Sequence, residues 1–435
     1  METELVNERK NAAIGLDHSI PLKNPVDLDE LIKDIGDARF VLLGDSTHGT
    51  HEFYYWRSHI SKRLISEKNF NIICVEGDWP DCYLVNRFVK SYPFSGRDSV
   101  DILSNFNRWP NWLWGNYEMV AFLDWLKNHN SNFSIHKRVG FYGLDLFSLW
   151  ESLDFLADYL KERDPLSYAS VLKVQTCFEN FKNFEGVEYG RFVKDKFPVC
   201  SEPLEYLLSN IRKNMFNYNG DEEADFNAEQ NALVSLNAER YFHVMFSKGE
   251  SAWNIRDKHM FDTVTRLYNY HGPDSKFIIW AHNNHVGDAR FYDFGKKGFL
   301  NLGECLQEHF SEEGVYKVGF SYYQGDILAS DQWSGEMKKI KTAKAKLNSW
   351  EQICHKMAIG DFYFFTRNWP EVNKNVIQRA LGVVYDSSQE YHNYIDCNMK
   401  KVFDALFYIE RGTALHGIKN SVDESQIPET FPYGL

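Results

Sequence analysis

Over the first third of the chain, short runs of consecutive apolar residues alternate with longer amphipathic stretches. The runs Arg39–Gly44, Asn71–Glu76 and Val139–Asp145 are too short for helices and are apolar at nearly every position. That pattern marks strands buried on both faces of a parallel sheet. The stretch from about Phe53 to Glu67 between the first two is amphipathic, so the region reads as a βαβ architecture. Each strand run ends at, or just before, an acidic residue.

From about 149 to 270 the strand signal vanishes. Segments with a period of 3.6 replace it: Trp150–Glu162, Leu166–Phe181, Pro203–Phe216, Glu223–Phe246 and Ala252–Tyr270. Pro165, the Phe184–Pro198 region, Asn217–Asp221 and Ser247–Ser251 supply the breaks. The strand pattern resumes at Lys276–Ala281, Val315–Ser321, Asp361–Phe365, Leu381–Tyr385 and Asp404–Glu410, while Gln324–Lys344 reads as an edge hairpin or long loop. The expected class is α/β: a mostly parallel sheet flanked by helices and interrupted by an inserted all-helical domain. Its parts would be an α/β domain at 1–148 and 271–435 and a helical insert at 149–270. A length of 435 residues agrees, because one hydrophobic core stops growing at about 250–300 residues.

Charge and composition remove several classes of function. A net charge of −13 without a basic stripe argues against a nucleic-acid partner. No stretch approaches the ~18 apolar residues of a membrane helix, and Met1–Lys10 mixes charges instead of carrying an apolar leader. No membrane partner and a cytoplasmic location are expected; the oligomeric state is not readable. The seven cysteines are odd in number and contain no C-x-x-C pair. Free thiols are therefore expected, with neither a disulfide framework nor a cysteine-based zinc site.

Two histidine-bearing loops follow strand runs directly. One is Gly44–Gly49, with His48, and the other is His282–His285. In an open parallel sheet ligands bind at the carboxyl ends of the strands, so loops far apart in sequence can face one cleft. His48 is the side chain best suited to proton transfer near neutral pH, and Asp45, three residues earlier, can orient it or cap the following helix. Glu76 ends the second strand, where an unpaired charge is costly to bury. Arg57, on the helix after His48, can reach toward Glu76 or a substrate oxygen. His282 and His285 share one face if helical and match short metal-ligand spacing. Arg256 and His259 lie on the last helix of the insert. Trp79 and the aromatic stretch 108–117, with Trp114, offer walls for a pocket. Ser46 lacks a complete nucleophile motif and reads as a loop hydrogen-bonder.

The blocks Gly44–Phe53, Val75–Pro80, Gly143–Asp145, Asn254–Met260, Trp280–Val286 and Asp404–Glu410, taken in this order, together resemble the erythromycin esterase family. Some of its members carry the label succinoglycan biosynthesis protein. The resemblance implies hydrolysis of an ester or lactone, as in macrolide esterases that confer antibiotic resistance, on an α/β domain interrupted by a helical one. It implies His48 as the base activating water, with Glu76, Arg57 and the pair His282 and His285 completing the cleft and Arg256 contacting substrate; Asp45 and Glu76 would hold the imidazole and the arginine in place. Asp45 stands where macrolide-cleaving members usually carry a glutamate.

The expected protein is thus a carboxylic ester hydrolase acting on a small-molecule ester or lactone, with no cofactor and no metal. Arg57 or a protonated His282 or His285 would stabilise the oxyanion. Two alternatives stay open: a metal-dependent hydrolase using Asp45, His48, Glu76, His282 and His285 as ligands, and a protein that binds a small molecule without turning it over. Burial of His48 would favour the last.

Overall fold

The structure, a computed structural model, describes residues 17–93, 95–184, 186–194, 200–214, 223–246, 251–357, 359–369 and 373–419. Met1–Lys10, Asn217–Asp221 and most of Ser247–Ser251 lie outside the described residues. The strands are β1 (Ser19–Pro21), β2 (Phe40–Leu43), β3 (Ile72–Asp78), β4 (Gly140–Asp145), β5 (Phe277–Trp280) and β6 (Val315–Ala329). They continue with β7 (Lys338–Thr342), β8 (Phe362–Phe365), β9 (Asn375–Arg379), β10 (Tyr394–Asn398) and β11 (Ala405–Gly412).

Among the described residues nine strands form one sheet in the order β1-β8-β11-β6-β2-β5-β3-β4, with β7 on β6, while β9 and β10 pair separately. β2 lies between β5 and β6 and parallel to both, with Leu43 opposite Trp280 on one side and Val318 on the other. This position explains why all four of its residues are buried and why its sequence is continuously apolar. The sheet is mixed at one edge, where β8 runs antiparallel to β11 and to β1. The polar stretch after Gln324 is a hairpin: β6 continues to Ala329 and β7 returns along it.

One expected strand is absent. Leu381–Tyr385 is a loop that touches the sheet by a single bridge, Ser330 to Val384. Leu381 and Tyr385 are nevertheless buried, because the loop runs beside the histidine loop of β2, the Leu381 N–H donating to the Ser46 carbonyl at 2.7 Å. Burial against other loops produced an apolar run that mimics a strand.

The chain divides into two compact units, the first comprising 1–75, 85–141 and 274–435 and the second 76–84 and 142–273. Within the second, the helical segments fold as Leu149–Leu160, Pro165–Phe178, Val187–Val193, Ser201–Asn214, Ala224–Met245 and Ala252–His271. Leu149, Leu153, Leu156 and Leu160 recur at helical spacing and form one core with Val171, Val174, Leu207 and Ile211. Asp164 caps the helix that begins at Pro165, accepting the N–H groups of Leu166 and Ser167 at 3.2 and 3.1 Å. The second unit also takes in the carboxyl ends of β3 and β4, and with them Glu76 and Asp145.

The expectation of free thiols throughout is corrected here, since Cys177 and Cys200 form a disulfide. They are 23 residues apart with no local motif. Folding of the helices Pro165–Phe178 and Ser201–Asn214 brings them together. Cys74, Cys82, Cys305, Cys354 and Cys397 are free, and Cys74 is buried in β3 as a small apolar side chain.

Candidate functional site

The loop after β2 is shaped by close approach to its neighbours. A Cβ at Gly44 would lie 2.1 Å from Asn283 Oδ1, and one at Gly49 would lie 1.9 Å from the Leu328 carbonyl oxygen. Glycine is the residue that allows such contacts. Asn283, which the sequence reading passed over, ties three segments together. Its Nδ2 donates to the Phe320 carbonyl of β6 at 2.7 Å, its Oδ1 accepts from Phe320 N–H at 3.2 Å, and its own N–H donates to the Asp45 carbonyl at 2.7 Å. The two histidine loops therefore meet because β2 and β5 are adjacent, and the amide locks them in place. The rings of His48 and His282 lie edge to face with centroids 5.3 Å apart.

Asp45 is the electrostatic hub. Its carboxylate lies 3.2 Å from His48 Nδ1 and accepts from Arg57 Nη1 at 2.8 Å. Burial raises the pKa of such a carboxyl, but the charges of His48 and Arg57 outweigh it and hold Asp45 down at about 2. When the ring is neutral, an ionised Asp45 favours the tautomer whose Nδ1–H faces the carboxylate and leaves the lone pair on Nε2; when the ring is protonated, its charge is one of those that hold Asp45 ionised. The side chain of His48 is 9% exposed against 1% for Asp45 and Arg57, so the ring is the part of this cluster nearest solvent.

Arg57 is buried within a ring cage. Its guanidinium carbon lies 4.4 Å from the centroid of Tyr54 and 4.9 Å from that of Trp280. Trp114, 4% exposed, backs both rings. Arg57 Nε and Nη2 are buried and have no hydrogen-bond acceptor among the described residues. Tyr54 anchors the cage by donating to the Leu113 carbonyl at 2.7 Å.

His282 is engaged by backbone through both ring nitrogens. Nε2 lies 2.9 Å from the Leu381 carbonyl, and Nδ1 accepts the Asn284 N–H at 3.1 Å. A nitrogen that accepts an N–H carries its lone pair, so this arrangement assigns the ring proton to Nε2, which faces the Leu381 carbonyl. His285 is buried one turn later, its N–H donating to the His282 carbonyl at 2.8 Å. Ser46 hydrogen-bonds through its carbonyl, as noted above. Its hydroxyl is buried without a partner among the described residues.

In the second unit Glu76 and Arg256 form a cluster with a third member, Asp145, that the sequence names only as part of a motif. Arg256 grips Asp145 through Nε at 2.9 Å and Nη2 at 2.6 Å, and Nη2 also donates to Glu76 at 2.7 Å. Burial disfavours the arginine charge, but the two carboxylates overcome it and raise its pKa. Arg57 pairs with Asp45, and Arg256 pairs with Glu76. His259, nearby in sequence, is buried and accepts from Asn237 Nδ2 at 2.8 Å, and burial pushes it down to about 4.

Trp79 belongs to the packing of the second unit. It is 1% exposed, lies near-parallel to Tyr142 at 5.8 Å and donates to Asn227 Oδ1 at 2.8 Å. Neither Trp79 nor Trp114 presents an open ring face, since both indoles are buried among other rings.

Among the described residues one group has metal-ligand spacing, and it is not the set the sequence suggested. It consists of His51, Glu118 and His416, whose ligand atoms lie within 4.8 Å of one another. No described helix is long and apolar enough to cross a membrane.

Three comparisons bear on this arrangement. The erythromycin esterase type II of Escherichia coli is 19% identical over 93% of this chain and 96% of its own. Among solved structures, a succinoglycan biosynthesis protein superposes with a TM-score of 0.74 at 19% identity, covering 94% of this chain and 98% of its own. A mutant of erythromycin esterase EreC in its open conformation superposes with a TM-score of 0.63 at 17% identity, covering 90% and 95%. These structural likenesses establish a shared α/β fold. The family model for erythromycin esterase matches residues 65–412, and the chain belongs to the erythromycin esterase family.

Proposed function

We propose that this protein hydrolyses a carboxylic ester or lactone, with His48 as the general base that activates water. Family membership supports a hydrolase, esterase-like function. The observation that carries the finer reading is the Asp45 carboxylate shared between His48 Nδ1 and Arg57 Nη1. A buried carboxylate behind an imidazole orients it and stabilises the imidazolium formed when the other nitrogen takes a proton.

In the proposed reaction His48 Nε2 takes a proton from water while the water oxygen bonds to the ester carbonyl carbon. The carbonyl π pair moves to oxygen and gives a tetrahedral oxyanion. Collapse of that intermediate breaks the bond to the alkoxide, and the imidazolium returns the proton to it as alcohol. Arg57 supplies positive charge close to where the oxyanion develops, from the buried guanidinium that Asp45 and the Tyr54 and Trp280 rings hold behind His48. His282, held by backbone at both ring nitrogens, positions the loop and packs against the His48 ring. No step is routed through Glu76, Asp145 and Arg256, which pair with one another.

The metal-ligand alternative fits the same residues less well. Both ring nitrogens of His282 already serve backbone groups, and Asp45 already serves His48 and Arg57. The binding-only alternative draws support from one observation, the low exposure of His48. A hydrolysis screen of the purified protein against macrolides, simple lactones and aryl esters separates the readings. Turnover of an ester or lactone is the expected result, and tight ligand binding without product in every class would overturn it. The shorter Asp45 in place of glutamate directs the screen beyond macrolides.

A further inference from the structure

His51, Glu118 and His416 come from three remote parts of the chain and converge on one oxygen atom. His51 opens the helix His51–Lys68, and Glu118 lies in the first turn of the helix Tyr117–Asn130. His416 lies on the segment that follows β11. Nδ1 of His51 lies 2.7 Å from Glu118 Oε1, and Nδ1 of His416 lies 2.6 Å from the same atom. The two imidazoles stand perpendicular, at 88°, with centroids 5.7 Å apart.

Backbone bonds hold the three segments in place independently of these side chains. The His51 N–H donates to the Thr413 carbonyl at 2.8 Å, the Leu415 N–H to the Gly49 carbonyl at 3.1 Å, and the Tyr117 N–H to the His416 carbonyl at 2.9 Å. The Glu118 side chain is 3% exposed, whereas the imidazoles are 24% and 25% exposed. A buried carboxylate therefore forms the floor of the group, with two partly exposed imidazoles turned onto it.

We propose that His51, Glu118 and His416 bind one divalent transition-metal ion of the zinc class, which staples the C-terminal strap to the starts of both helices. Two imidazoles and one carboxylate, with a side open to water, are the donor set of three-ligand zinc sites. Imidazole nitrogen selects zinc, nickel or copper over magnesium and calcium, which prefer all-oxygen sites. Ligand atoms about 2.0–2.1 Å from a tetrahedral zinc lie roughly 3.3 Å apart. The partly exposed imidazoles need only swing outward by roughly 0.6 Å from their present hydrogen bonds to reach that spacing. Binding replaces each Nδ1–H by a metal bond and releases the protons to solvent.

The test titrates full-length, chelator-treated protein with Zn2+ by calorimetry and with Co2+ by visible absorption. The expected result is one equivalent of Zn2+ bound, a tetrahedral Co2+ spectrum, and a zinc-dependent rise in melting temperature. His416→Ala and His51→Gln should each weaken binding by at least about tenfold and abolish the thermal shift. His51→Gln keeps a donor toward Glu118, so it serves if the alanine variant fails to fold. His48→Asn should bind zinc as the wild type does. Absence of one-to-one uptake, or uptake unchanged in both the His51 and His416 variants, would overturn the proposal and leave a hydrogen-bonded strap. Loss of uptake in His48→Asn alone would place the ion in the other histidine cluster and also overturn it.

Discussion

The Asp45 carboxylate accepts from Arg57 Nη1 at 2.8 Å while both residues are 1% exposed. A buried pair of this kind contributes little by forming but costs much to break, because removing one partner strands the other charge. Asp45→Asn should therefore destabilise the protein by about 3–5 kcal/mol. In whatever fraction stays folded, ester turnover should fall by about 10³-fold or more, because the imidazole loses its oriented tautomer. Urea unfolding and kcat together check this, and an unchanged kcat would detach Asp45 from the chemistry.

The same carboxylate makes stability depend on acid. Its pKa is held at about 2 in the folded protein against 3.8 ordinarily. A depressed carboxyl stabilises the fold above the unfolded-state value and loses that contribution as pH falls from about 4 through about 2. The lost stabilisation is about 2 kcal/mol. Denaturant unfolding of wild type and Asp45→Asn at pH 7, 4 and 2.5 checks it: the gap between the two proteins should narrow over that acid window and stay constant above it.

Arg256 stands between two carboxylates of the second unit. Arg256→Met should destabilise by about 3–5 kcal/mol, since Glu76 and Asp145 lose the guanidinium they share and are left as two adjacent buried negative charges. Arg256→Lys should recover only part of the loss, because an ammonium cannot reproduce the bidentate grip on Asp145. Thermal and urea unfolding of both variants measure the difference.

Much of the sheet was legible because β2, β3 and β5 are parallel and buried on both faces, which leaves an uninterrupted apolar signature. The meeting of His48 with His282 followed from the same logic, since strand ends in a parallel sheet share one edge. Leu381–Tyr385 misled for a physical reason: a loop buried against the Ser46 loop needs apolar side chains as much as a strand does. The ionic partners were hidden by distance along the chain. Glu76 meets Arg256 across 180 residues and Glu118 meets His416 across 298, and no local spacing encodes such pairs. Asn283 was overlooked because its work is done with backbone groups, which sequence patterns do not display.

The Cys177–Cys200 bond can be counted directly. Denatured protein should show five reactive thiols, against seven after reduction. Cys200→Ser should lower stability by about 3 kcal/mol under non-reducing conditions, by freeing a 23-residue span in the unfolded chain. Seven reactive thiols before reduction would contradict the pairing. The bond also bears on compartment, because disulfides persist in oxidising surroundings.

Steady-state hydrolysis of a p-nitrophenyl ester by His48→Asn, beside wild type and with circular dichroism of both, decides whether the imidazole at the end of β2 performs the chemistry. Asparagine fills similar space but has no basic nitrogen, so turnover should fall by about 10²–10⁴-fold with the spectrum unchanged. Turnover retained at the wild-type rate would contradict a general-base role for His48.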